Sequence, residues 1–113
     1  RLGYAGPKAT PVLDVYSLDG ERHFGYWILS AQQGKAAWEA DVTLKLGEAV
    51  EVREDGGSPL NGWVGDTRDG AYRAYLFLWQ GETVLRSIPI FEFSINGATV
   101  ESFKELLKGP FIG

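Results

Sequence analysis

The sequence predicts a mainly β domain: an antiparallel barrel or sandwich of roughly seven to eight strands with one C-terminal helix. The first observation is a set of turn dipeptides that separate runs of alternating apolar residues, namely Asp19-Gly20, Asp69-Gly70, Gln80-Gly81 and Asn96-Gly97. Glycine reaches positive φ without a Cβ clash, so such dipeptides favour tight hairpins. The second observation is a 3.6-residue apolar period after the last turn, which predicts the helix.

The chain length favours one domain. Its 113 residues can bury a core but are too few for two ordinary domains. We expect an extended arm over 1–10, a single β-domain over 11–109 that includes a helix at about 99–108, and a tail over 110–113. The arm contains two glycines and a proline without periodicity.

The first half of the chain predicts a hairpin followed by a long half-buried strand. Pro11 opens the first strand, which runs from Val12 to Leu18 and returns over 22–30 after Asp19-Gly20. Gln32, Gln33 and Gly34 form the next turn. Apolar residues then alternate with polar ones over 36–46, which indicates a strand with one wet face.

The second half predicts shorter strands and the helix. A strand over 49–53 precedes a loop over 54–59, and a strand over 62–67 turns at Asp69-Gly70 into a strand over 71–79. Gln80-Gly81 leads into 83–88, where Pro89 indicates a strand edge or a bulge. Thr99 can cap a helix that Gly109-Pro110 ends. Its apolar positions are Val100, Phe103, Leu106 and Leu107.

Composition restricts the functional classes. The chain has no cysteine and no apolar run long enough to cross a membrane as a helix. Its 15 acidic and 11 basic side chains give a net charge of −4, which argues against nucleic-acid binding. The sequence starts at Arg1 without a methionine, so we expect removal of a leader or excision from a longer chain, with a secreted or organellar location favoured.

No residue pattern indicates catalysis, a metal or a cofactor. His23 is the single histidine and lacks a recognisable nucleophile and second ligand, so we interpret it as structural or exposed. Two groups of acidic residues are interpreted as a solvated strand edge and a hairpin tip: Glu48, Glu51, Glu54 and Asp55, and then Asp66 and Asp69. No glycine-rich phosphate loop is present. We expect a non-enzymatic protein.

Aromatic residues are the unusual excess, with four Trp, five Tyr and six Phe. Tyr75, Phe77 and Trp79 share one face of their strand. The other face carries Tyr72, Ala74, Leu76 and Leu78. If the aromatic face is exposed, it can bind a sugar, a peptide or a protein. If the helix from Val100 covers it, the row is ordinary core, which is the interpretation we favour for a strand apolar on both faces.

Two segments resemble known families. Pro11-Val12-Leu13-Asp14-Val15 followed by Tyr26-Trp27-Ile28-Leu29-Ser30-Ala31 resembles the opening hairpin of soybean-type Kunitz protease inhibitors, which are β-trefoil proteins. This resemblance implies a secreted protease inhibitor and assigns no reactive-site residue.

The second resemblance is to SH3-like and Tudor-like small barrels. It covers 46–52, Gly62-Trp63-Val64-Gly65 and Asp69-Gly70. It implies that the loop over 54–60 and Trp63 border a peptide-binding groove.

The leading functional hypothesis is a non-enzymatic interaction domain or accessory subunit that contacts another macromolecule through aromatic residues and the loop over 54–60. The expected binding residues are Tyr75, Phe77, Trp79, Trp63 and Asp55, with no catalytic residue, no metal and no cofactor. A protein is the favoured partner. A secreted protease inhibitor and a carbohydrate-binding module are the alternatives.

Overall fold

The structure, a computed structural model, describes residues 1–107, which form nine strands and one 3₁₀ turn. The strands are β1 (Leu2–Ser17), β2 (His23–Ile28), β3 (Lys35–Ala40), β4 (Val42–Lys45), β5 (Glu51–Glu54), β6 (Gly62–Val64), β7 (Gly70–Gln80), β8 (Thr83–Asn96) and β9 (Thr99–Glu105). The predicted tail and the end of the predicted domain, from residue 108 onward, lie outside the described residues. The mainly β prediction is confirmed.

Seven strands form one antiparallel sheet in the order β6-β2-β1-β7-β8-β9, and β3 pairs with the first half of β1. Strands β4 and β5 form a separate two-stranded sheet. The large sheet does not close into a barrel in the described part of the chain. The closed barrels that the Kunitz-like and SH3-like resemblances imply are therefore not seen there.

The core lies between the large sheet and the β4–β5 layer. Leu13 on β1 and Leu76 on β7 are fully buried on the inner face of the large sheet, and Val52 of β5 is fully buried against the same cluster. Val42 and Leu44 of β4 pack at its margin. The second layer therefore covers part of the inner face of the large sheet.

Three of the four predicted turns join paired strands. Gly20, Gly81 and Gly97 all have positive φ, and they connect β1 to β2, β7 to β8 and β8 to β9. The hairpin predicted at Asp69-Gly70 is wrong, because β6 pairs with β2 while β7 pairs with β1 and β8. Asp69 instead accepts a hydrogen bond from the Gly97 backbone N–H at 3.0 Å.

The predicted C-terminal helix over 99–108 is wrong within the described residues, because Thr99–Glu105 is the edge strand β9. A register shift near Ile95 of β8 forms a bulge in β9, so Val100 faces Ile95 while Phe103 faces Phe93. The bulge places two apolar residues on one side of a strand at a spacing that imitates a helical period. No helix among residues 1–107 has the length and apolarity needed to span a membrane.

Other predicted boundaries are shifted. Residues 2–10, expected to be an arm, belong to β1, and Tyr4 pairs with Trp38 of β3. The strand expected over 36–46 divides at Asp41, whose backbone N–H donates to Asp55 Oδ1 at 2.7 Å. The irregularity expected at Pro89 is confirmed by a register shift opposite Ala74 and Tyr75.

Candidate binding surface

The outer face of the large sheet, opposite the core, carries the candidate site. On β7, Tyr72, Ala74, Leu76 and Leu78 are fully buried on the inner face. Arg73, Tyr75, Phe77 and Trp79 alternate with them and are only partly buried. The interpretation of this row as core beneath a helix fails, because the segment expected to form that helix pairs with β8 as strand β9.

The three aromatic rings on β7 contact one another in sequence order. The Tyr75 and Phe77 ring centroids lie 6.0 Å apart at an interplanar angle of 71°. The Phe77 and Trp79 centroids lie 6.5 Å apart at 38°. The row is thus a continuous apolar surface whose rings are not coplanar.

A second aromatic group lies on the same face, on β1, β2 and β6. The His23 ring stacks on Tyr16 with centroids 4.3 Å apart and an interplanar angle of 7°. Trp63 lies 4.9 Å from His23 and 6.2 Å from Tyr26, measured between ring centroids. Trp63 is 46% exposed and Tyr26 is 37% exposed, so this group reaches the solvent.

Asp14 anchors the second group from beneath. Its Oδ1 lies 2.5 Å from His23 Nε2, which fixes the imidazole between the tyrosine and tryptophan rings. Asp14 is 8% exposed. Burial raises the pKa of the Asp14 carboxyl, and the hydrogen bond and charge of His23 oppose that rise.

Strand order joins the two groups into one surface. Asp14 of β1 is directly opposite Tyr26 of β2 and directly opposite Tyr75 of β7. Side chains opposite each other in adjacent antiparallel strands are neighbours on the same face. We call this combined surface the outer aromatic face; its members are Tyr16, His23, Tyr26, Trp63, Tyr75, Phe77 and Trp79.

Glycines allow the tryptophans of β2 and β6 to pack closely. A Cβ at Gly65 would overlap the Trp63 ring, and a Cβ at Gly25 would lie 2.5 Å from the Trp63 backbone oxygen. The Trp27 ring occupies the space beside Gly62 in the same way. The position of Trp63 on the outer aromatic face therefore depends on glycine at these sites.

An ion pair borders the aromatic row of β7. Arg73 Nε donates to Glu92 Oε2 of β8 at 2.6 Å, and both side chains are partly exposed. Hydrogen bonds to Glu92 and then to Tyr75 raise the pKa of the Arg73 guanidinium. The Tyr75 hydroxyl end is thus placed beside a fixed cation.

The structure separates the fifth expected binding residue from the aromatic ones. Asp55 is at positive φ in the turn after β5, and its backbone N–H and side chain both bond to the Asp41 backbone. Trp63 joins Tyr26 and His23, whereas Tyr75, Phe77 and Trp79 form the row on β7.

The members of the two acidic groups have different environments. Glu54 is buried, contrary to the solvated strand edge expected for it, and its Oε2 accepts from Gln32 Nε2 at 2.5 Å. Asp66 pairs with Arg68, whose hydrogen bonds lower the pKa of Asp66 to about 2. Among residues 1–107, no three metal-ligating side chains come together.

Sequence reasoning did not assign Asp14, Tyr16 or Tyr26 to a site and treated His23 as structural. Asp14 and Tyr16 share one face of their strand by alternation, which was visible in the sequence. Their approach to Tyr75 depends on β1 lying between β2 and β7. That strand order is not encoded in any local pattern.

Comparison of the chain with models of protein families, with curated proteins and with solved structures finds no match.

Proposed function

We propose that this chain is a non-enzymatic interaction domain that binds another protein through the outer aromatic face. The observation that supports the proposal is one sheet that is apolar on both faces, whose inner face alone is packed against the β4–β5 layer among residues 1–107. Contiguous apolar surface that faces the solvent is typical of interaction sites.

The residue types fit a protein partner. Tryptophan, tyrosine and arginine are the side chains that most often dominate binding energy at protein interfaces. The outer aromatic face contains tryptophan and tyrosine within four neighbouring strands, and Arg73 borders it beside Tyr75. The Arg73–Glu92 ion pair at its margin can orient a partner, while the rings supply the buried area.

The ring geometry favours a protein over a carbohydrate. A sugar ring stacks on an aromatic face that lies flat on the surface. The 71° angle between Tyr75 and Phe77 prevents these two rings from lying flat together. The Tyr16 and His23 rings cover each other's faces, because their planes differ by only 7°. Apolar side chains of a protein can fill the uneven surface that results.

The loop over 54–60 matters to this proposal mainly because of the strand that follows it. It leads into β6, where Trp63 forms the end of the outer aromatic face. The Asp55 side chain is engaged by the Asp41 backbone N–H, so in this proposal it holds the turn and the aromatic residues make the contact.

The experiment is quantitative capture from native extract by the immobilised chain, followed by affinity measurement with the purified partner. We expect Tyr75→Ala/Trp79→Ala to weaken binding by about tenfold or more, because both rings would be lost from the interface. Circular dichroism and thermal unfolding establish that the variant is folded.

Phe103→Ala is the matched control, since it removes an exposed aromatic ring on the inner side of β9. It should retain the partner. An equal loss of partner binding in both variants would exclude the outer aromatic face as the binding site. An affinity that Tyr75→Ala/Trp79→Ala leaves unchanged would exclude it as well. Inhibition of a protease by the chain, unchanged in the double variant, would favour the inhibitor alternative instead.

A further inference from the structure

A cavity of about 650 Å³ opens on the inner side of the molecule, between the β4–β5 layer and strands β8 and β9. Its floor is the core itself: Leu2, Ile90 and Phe93 are each at most 5% exposed and line it from below. The cavity exists because the large sheet, in the described part of the chain, ends at β9 and does not continue round to β4. It is separate from the outer aromatic face, which lies across the sheet.

The walls are apolar on both sides. Val42 and Leu44 of β4 form one wall, and Val100 and Phe103 of β9 form the other. Val100 is 45% exposed and Phe103 is 60% exposed, so the β9 wall leaves apolar surface uncovered. A molecule between the two walls would remove that surface from water while it rests on the core.

The volume of the cavity indicates a small-molecule ligand. Native cores tolerate few voids larger than a water molecule, and this volume lies within the range of about 300–1,000 Å³ that is typical of small-molecule sites. A concave site with an apolar floor and two walls suits a small molecule better than the flat surface of a protein.

The charges at the rim of the cavity restrict the charge of the ligand's polar end. Arg1 at the rim is paired with Glu39 at 2.8 Å and with Asp41 at 3.3 Å, so two carboxylates already neutralise its charge. Glu105 lies on the rim of the opposite wall and has no ion pair among residues 1–107. The rim is therefore acidic on balance and disfavours an anionic head group.

We propose that this cavity is a binding site for an apolar small molecule, of acyl-chain or fused-ring type, with an uncharged or cationic polar end. The apolar part lies between Leu44 and Phe103, above Phe93, and the polar end lies at the rim near Glu105. Binding here is independent of the protein partner proposed for the outer aromatic face.

The test is titration of the full chain with the uncharged fluorescent probe N-phenyl-1-naphthylamine. We expect saturable binding of one probe per chain, with a blue shift and an increase in emission. Val100→Asp should weaken binding by about tenfold or more, because the new carboxylate must lose water when the probe binds.

Val84→Asp is the matched control. Val84 is a valine of comparable exposure, 38%, on β8, and it does not line the cavity. It should leave probe affinity unchanged. Absence of saturable binding, or equal loss in both variants, would overturn the proposal.

Two further measurements test the chemistry and identity of the occupant. Dodecanol and dodecylamine should displace the probe at lower concentration than dodecanoate, and the reverse order would overturn the assigned polar end. A Phe111→Asp/Ile112→Asp variant of the full chain should bind the probe as the unaltered chain does. Probe binding that appears only in this variant would overturn the proposal, since the chain's own C-terminal residues would then be the occupant.

Discussion

At the residue scale, Trp38 and Glu39 are adjacent in β3 and have opposite environments. Trp38 is 6% exposed and packs in the core, whereas the Glu39 carboxylate pairs with Arg1 at the surface. The alternation that places Trp38 inside was readable from the sequence, since a period of two requires successive side chains to face opposite ways. The environment of its ring N–H was not readable: Trp38 Nε1 is buried and has no hydrogen-bond partner among residues 1–107.

This contrast gives a stability prediction. Trp38→Asp should lower the free energy of unfolding by at least about 3 kcal/mol, because it leaves a carboxylate and a cavity in the core. Glu39→Lys should change it by about 1 kcal/mol or less, because a surface ion pair contributes little. Urea unfolding measures both values. Similar values for the two variants would contradict the face assignment of β3.

Asp14 gives a prediction about pH. Burial raises its folded-state pKa above the ordinary 3.8, so the folded chain keeps the proton over a range in which the unfolded chain has released it. Stability from this group therefore falls as pH rises through that range. Asp14→Asn cannot lose a proton, so its unfolding free energy should improve relative to that of the unaltered chain as the pH rises above 3.8.

Asp66→Asn is the opposite control, measured by urea unfolding at the same pH values. The pKa of Asp66 is lowered to about 2, so its carboxylate favours the folded state above 3.8 and loses that effect as pH falls. The unfolding free energy of the Asp66→Asn variant should therefore fall relative to that of the unaltered chain as the pH rises from about 2 through 3.8. The same trend in both variants would show that burial does not govern Asp14.

At the element scale, β9 shows where sequence patterns mislead. Val100, Phe103 and Leu107 have helical spacing, yet Phe103 pairs opposite Phe93 and Ser102 pairs opposite Ser94. The bulge places Val100 and Phe103 on the same side of β9. A bulge has no reliable sequence signal. The glycine turns before β2, β8 and β9 were predictable because positive φ is a local requirement.

The cause of the error at Asp69-Gly70 is different. Gly70 has φ of 147°, and the chain there passes from β6, at one edge of the sheet, to β7 beyond β1. The dipeptide is a turn signal, but the sequence does not state which strands it joins. For the same reason, the row on β7 was predictable from alternation, and its approach to the Asp14 and His23 group was not.

The turn before β9 gives a prediction for a single residue. Ala98 has φ of 64°, where a Cβ is strained. Ala98→Gly should raise the free energy of unfolding by about 0.5–1 kcal/mol. Ala37→Gly, at an exposed position in β3, should instead lower it by about 0.5–1 kcal/mol. Thermal unfolding distinguishes the two, and destabilisation by Ala98→Gly would contradict the assigned turn.

At the scale of the whole molecule, the two faces of the sheet divide the four tryptophans. Trp27 and Trp38 are buried, whereas Trp63 is exposed and Trp79 is half-buried. Acrylamide should therefore quench the emission of two tryptophans readily. Among single Trp→Phe variants, Trp63→Phe should cause the largest loss of the emission that acrylamide quenches. Trp38→Phe should leave that quenchable emission unchanged. A large loss of quenching in Trp38→Phe would reverse the assignment of inner and outer faces.

The central position of β1 also determines how the chain must fold. Ser17 of β1 pairs with Tyr72 of β7, so much of the chain lies between two strands that are neighbours in the sheet. The hairpins of β1–β2 and of β7, β8 and β9 need only local contacts, whereas the other edge of β1 must wait for the distant strand β7. During synthesis, the long apolar strand β1 emerges well before β7 is made. We therefore expect folding to be slow for a chain of this size, with a vulnerable period for aggregation that ends when β7 docks against β1.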